Sequence, residues 1–99
     1  MTVFAVEYVY ADDSVELRNE HRPAHREYLI GFVNEGPVRV LASGPTPATD
    51  GALLILAAES EAALNEVLAN DPFKKAGAIA QTTISEWNPV IGLLQEFAA

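Results

Sequence analysis

Apolar and polar residues alternate from the second position onward. Phe4, Val6, Tyr8 and Tyr10 fall on one side of an extended chain and Val3, Ala5, Glu7 and Val9 on the other, which predicts a strand over residues 2–10. Asp12, Asp13 and Ser14 then offer N-cap oxygens, and Glu16 follows Asp13 by three residues in a variant of the capping box. A helix is expected from there to about Glu35, ended by Gly36 and Pro37. Pro23 lies inside it and removes a backbone donor, so a kink or break is expected near Arg22 with a fresh helical start at Pro23.

Val38 to Ser43 is predicted as the second strand. The connection SGPTPATDG is rich in turn formers, and its Asp50-Gly51 pair favours a tight reversal. Leu53 to Ala57 is an unbroken apolar run, the pattern of a strand covered on both faces. Ser60 is placed to cap a second helix in which Ala63, Leu64, Val67 and Leu68 recur at helical spacing, until Asn70 and Asp71 stop it. Asp71-Pro72 opens one more turn of helix through Lys75, with Gly77 near its end, and Ile79 to Trp87 reads as the last strand.

The order is β-α-β-β-α-β, which predicts an α+β, ferredoxin-like domain with both helices on one face of an antiparallel sheet. Strands one to three carry apolar residues on both sides, and a large bare apolar face is rare on a monomer. A homodimer packed sheet to sheet, or closing a shared barrel, is therefore expected. The tail residues Val90, Ile91, Leu93, Leu94 and Phe97 are apolar enough for residues 90–99 to cover an edge or the partner subunit.

Composition narrows the function. With 99 residues, 49% of them hydrophobic, the chain describes one domain with a thin core, burying about two-thirds of its unfolded surface. Six basic residues against fourteen acidic ones give a net charge of -8, which opposes nucleic acid and anionic membrane surfaces. The opening MTVFAVEYVY has no basic n-region and is too short to span a bilayer, so a cytoplasmic protein is expected. Without cysteine there is no disulfide framework, thiolate nucleophile or cysteine-held metal.

Within the second half of helix one, His25 shares a face with Tyr28, Leu29 and Phe32, which aims its ring at the sheet. Desolvation there favours a neutral imidazole unless a carboxylate offsets it. Asp71 is an ordinary N-cap before a proline, yet one oxygen of a capping carboxylate is free to orient an imidazole. An Asp–His pair is the usual base-and-orienter arrangement, although a core histidine satisfied by backbone or water explains His25 equally well. His21 and His25 have metal-ligand spacing, but no HExxH surrounds them and Pro23 intervenes; no metal or other cofactor is expected. Arg22 is either a clamp for a substrate carboxylate or a surface partner of Glu20 or Glu27. Ser43-Gly44-Pro45 is either a turn or a place where a hydroxyl and amides hold an oxyanion. Nucleotide-binding and hydrolase fingerprints are absent.

Arg22-Pro23-Ala24-His25, Ala42-Ser43-Gly44-Pro45, Asp71-Pro72-Phe73 and Ile84-Ser85-Glu86-Trp87 occur in an order that resembles the YCII-like (YciI-related) family over nearly the whole chain. The resemblance implies a dimeric α+β barrel with a small-molecule pocket on each subunit. It also implies His25 and Asp71 as the active pair, with Ser43 and Gly44 lining the pocket and Phe73 beside it. Some such domains eliminate chloride from hydroxyaromatics, and fold relatives include muconolactone isomerases. The reading that follows is a cofactor-independent lyase or isomerase, with dehydrochlorinase-like elimination among its reactions, acting on a small organic acid, lactone or hydroxyaromatic-derived compound. The alternatives are a non-catalytic ligand-binding or structural dimer module, and an acidic protein-interaction domain resting on charge alone.

Overall fold

A computed structural model describes all residues from Met1 to Ala99. Strand β1 (Thr2–Tyr10) is followed by helix α1 (Val15–Ile30), strands β2 (Val38–Thr46) and β3 (Gly51–Ala58), helices α2 (Glu61–Ala69) and α3 (Pro72–Lys75), and strand β4 (Ile79–Glu86). The sheet order is β2-β3-β1-β4 with every neighbouring pair antiparallel. This is the expected ferredoxin-like α+β arrangement. No helix is long and apolar enough to cross a membrane.

The predicted strand alternation becomes the core. Phe4, Val6 and Tyr8 of β1 and Leu54 and Leu56 of β3 turn to the same side and pack with Leu29 of α1 and Leu64 and Leu68 of α2. The opposite face holds a smaller cluster of Val3, Ile55 and Ala57. Leu94 and Phe97 of the tail fold back over that cluster together with Leu41, so this chain's own tail covers one end of the second face. Val9 and Leu53, at the other end, remain exposed.

Helix α1 corrects three expectations. It passes through Pro23 without a break. The carbonyl that loses its partner belongs to Asn19, and both residues are exposed, so water satisfies it at little cost. The helix stops at Ile30 rather than near Glu35, because Phe32 and Val33 donate to Leu29 and Ile30 in a tight turn and Val40 then donates to the Phe32 carbonyl, drawing the chain into β2. The N-cap residue is Ser14, and Asp13 sits in the left-handed region at φ 54°. Ser14 makes no side-chain cap bond; its Oγ accepts from Arg18 Nε at 3.0 Å instead.

Strand β2 runs to Thr46, three residues beyond expectation, before a 3₁₀ turn over Pro47–Thr49. The reversal at Asp50-Gly51 forms as expected, with Asp50 left-handed at φ 51°. Gly51 is required by close approach, since a Cβ there would lie 2.0 Å from the Tyr8 carbonyl oxygen. The Ser60 cap also forms, its side chain accepting from the Ala63 amide at 3.1 Å.

Candidate functional site

Asp71 follows Asn70, the C-cap of α2, and is itself the N-cap of α3. Its Oδ1 accepts the Phe73 amide at 3.0 Å, the cap expected from an Asp-Pro pair, and Pro72 costs nothing at a position whose N–H has no helical partner. Contact between α3 and α1 brings His25 to the same oxygen, with Nδ1 at 2.7 Å. Oδ2 accepts the Tyr8 hydroxyl at 3.0 Å. The expectation of a free second oxygen for the imidazole is thus corrected: cap and imidazole share Oδ1, and Tyr8 takes Oδ2.

The carboxylate is fully buried. Three donors from β1, α1 and α3 compensate its lost hydration. Burial pushes the Tyr8 hydroxyl far above its ordinary range, reinforced by the Asp71 charge and by their hydrogen bond, so Tyr8 stays a donor. Burial also raises Tyr10 and Tyr28; for Tyr10, Arg18 and Arg22 pull the other way.

His25 is held by a second contact. Its ring lies parallel to Phe73 with centroids 3.9 Å apart, and its side chain is 12% exposed. With Nδ1 donating to the Asp71 carboxylate, Nε2 is the ring nitrogen left without a partner within the chain. The histidine is neither sealed in the core nor free on the surface.

His25 lines a cavity of about 330 Å³ between α1 and the β2 end of the sheet. Arg22, Ser43, Gly44 and Phe73, singled out from the sequence, line it too, whereas Asp71 stands behind His25. Arg22 pairs with neither Glu20 nor Glu27; it hydrogen-bonds Asn19 and faces the cavity. Ser43 reaches the cavity through a β-bulge. Val40 opposes Leu56 and Ser43 opposes Leu54, with the register shifting between Val40 and Ala42, so one extra residue in β2 turns Ser43 to the helical side. His21 borders a separate hollow with Tyr28, Asn70 and Lys75. No group of three or more His, Asp or Glu side chains stands close enough to hold a metal.

Sequence reasoning missed Tyr8, Tyr10, Arg18 and Arg26. Tyr8 carried a signal, since a tyrosine on the core side of a strand needs a partner for its hydroxyl. Arg18, Arg22 and Arg26 carried another: they recur at four-residue steps along the helix that bears His25.

Fold and site together define a ferredoxin-like α+β domain in which a helix-borne histidine, oriented by a buried aspartate, opens onto a small cavity. The YCII-related domain model matches residues 2–88, and the chain belongs to that family. Among solved structures, it is similar to 5-chloro-2-hydroxyhydroquinone dehydrochlorinase from Burkholderia phenoliruptrix in complex with 2,5-dihydroxybenzoquinone. The TM-score is 0.76 at 27% identity, over 87% of this chain and 93% of that one. An uncharacterized NIPSNAP domain protein from Burkholderia xenovorans shares the fold, with a TM-score of 0.55 at 15% identity over 90% and 94% of the two chains. No curated protein sequence matches the chain.

Proposed function

We propose that this chain is a cofactor-independent enzyme of lyase or isomerase type, in which His25 is the general base. The observation that carries the reading is that His25 Nε2 is unpartnered on a ring whose Nδ1 is held by buried Asp71 and which lines a cavity of single-ring size. Its similarity to a dehydrochlorinase, that protein bound to a dihydroxybenzoquinone, supports a hydroxyaromatic-derived substrate or a related small acid or lactone.

His25 Nε2 takes a proton from an acidic O–H or C–H of the substrate. The imidazolium returns that proton to a ring carbon, which completes an isomerisation; where that carbon bears chlorine, the now tetrahedral centre expels chloride as a second hydroxyl proton leaves, so the net change is loss of HCl with no external oxidant or reductant. Asp71 fixes the ring and stabilises the imidazolium. Ser43 donates to the oxygen on which charge develops, with Gly44 leaving room beside it, Arg22 offers a cation, and Phe73 supports the imidazole face. A positioned base of this kind contributes about 10²–10⁴-fold.

Chloride release from chlorinated hydroxyhydroquinones, and isomerisation of small unsaturated lactones, should be measured for the wild type and for His25→Asn. A fall of about 10²-fold or more in kcat with the fold intact is expected; an unchanged rate would falsify the role of His25.

The same reading includes a homodimer. Val9 and Leu53 leave the outer sheet face partly open at 42% and 38% exposure, and Ile91 and Leu93 of the tail stand at 90% and 99% exposure, apolar side chains that a second copy would cover.

A further inference from the structure

Three of the chain's six basic residues, Arg18, Arg22 and Arg26, line the His25 cavity, and no carboxylate does. In a protein of net charge -8 this is a local reversal of sign. Successive four-residue steps on α1 put the three side chains along one edge, facing apolar walls such as Val40 and Ala52.

Arg18 is the fixed member. Its side chain is 10% exposed, its Nε donates to Ser14 Oγ at 3.0 Å, and its guanidinium lies over the Tyr10 ring at 4.0 Å. Asp50 Oδ1, 3.7 Å from an Arg18 terminal nitrogen, is the one carboxylate within ion-pair distance of any of the three arginines, and that carboxylate is 72% exposed. The contact is too long for a hydrogen bond and too wet to compensate a buried cation. Most of the guanidinium fork therefore lacks an acceptor while its orientation is set, which is how an anion site is preorganised.

We infer that the Arg18 end of the cavity is an anion subsite and that the ligand is a single-ring compound bearing an ionised oxygen, carboxylate or ring hydroxyl. The inference rests on the proposal that this cavity is the ligand site, and it adds charge as the selecting property. Asp50 competes for Arg18 from the solvent side. A neutral ring of the same shape displaces the water at the Arg18 terminal nitrogens without supplying an acceptor, and so binds more weakly.

Protein-observed NMR titration tests it with two matched pairs, benzoate against benzamide and 2,5-dihydroxybenzoquinone against its dimethoxy ether. At least one anion is expected to bind ten-fold or more tighter than its neutral partner, and the pair showing the preference identifies carboxylate or ring oxygen as the charge read. Arg18→Gln should cut the preference below about three-fold and Arg18→Lys should retain part of it, since a point charge replaces the planar fork. Asp50→Asn should tighten anion binding several-fold. His25→Asn should keep the preference even where turnover is lost, which separates this inference from the proposed base. Equal binding within both pairs, no binding by any of the four, a preference that survives Arg18→Gln, or one that disappears in His25→Asn overturns it. If Arg18→Gln does not fold, anion affinity unchanged in Asp50→Asn does the same.

Discussion

The Tyr8 hydroxyl donates to Asp71 Oδ2 at 3.0 Å across 63 residues of sequence, so the carboxylate that orients His25 is itself fixed from the central strand β1. His25 and Phe73 donate to the other oxygen. The imidazole is consequently positioned by the sheet as well as by its own helix.

Removing that hydroxyl in Tyr8→Phe leaves Asp71 Oδ2 buried without its donor. The expected loss is about 1–3 kcal/mol of unfolding free energy, read by urea denaturation. A change under about 0.5 kcal/mol would show that the carboxylate finds another donor.

The raised Tyr8 also sets an alkaline limit. Burial, then the Asp71 charge and hydrogen bond, keep Tyr8 protonated in the folded state above its ordinary value of 10.0. From about pH 10 upward the unfolded chain loses this proton while the folded chain keeps it, so the unfolded state binds fewer protons and stability falls with rising pH. The contribution from this one group approaches about 1.4 kcal/mol per pH unit. Below pH 10 the stabilisation is fully present. Tyr8→Phe should flatten the decline between about pH 10 and 12; denaturation series with parallel slopes in both proteins would refute it.

Two glycines of the β2–β3 hairpin should differ in their response to alanine. At Gly51 the new Cβ would meet the Tyr8 carbonyl oxygen at 2.0 Å, whereas at Gly44 it would meet nothing within 4 Å. Gly51→Ala is expected to cost about 1–3 kcal/mol, with the melting temperature falling roughly 4–8 °C per kcal/mol, and Gly44→Ala to stay within about 0.5 kcal/mol. Paired thermal melts check both.

The proposed homodimer should elute at twice the monomer mass of 10.7 kDa in light-scattering chromatography. Leu53→Glu places a charge on the open face and should shift the mass towards the monomer with helical content unchanged. A wild type that runs as a monomer at micromolar concentration would remove this part of the proposal.

Element order was legible because it rests on short-range periodicity: the alternation of β1, the helical spacing of Ala63, Leu64, Val67 and Leu68, and the caps at Ser60 and Asp71 all act within a few residues. The inward register of His25 was legible for the same reason, being set by its spacing to Tyr28 and Leu29. Helix α1 was harder to read, since whether Pro23 breaks it depends on how exposed the orphaned Asn19 carbonyl is, and its end depends on Val40 reaching back to Phe32.

By itself the sequence determined a βαββαβ domain with an inward histidine and a capping aspartate, because local backbone and side-chain preferences suffice for each. Tertiary structure alone decided that His25, Asp71 and Tyr8 meet at one buried carboxylate, that a bulge in β2 turns Ser43 into the cavity, and that three arginines of α1 line its edge. Those relationships join residues far apart in the chain, and their energies come from desolvation and packing that exist only once the sheet and helices have closed on each other.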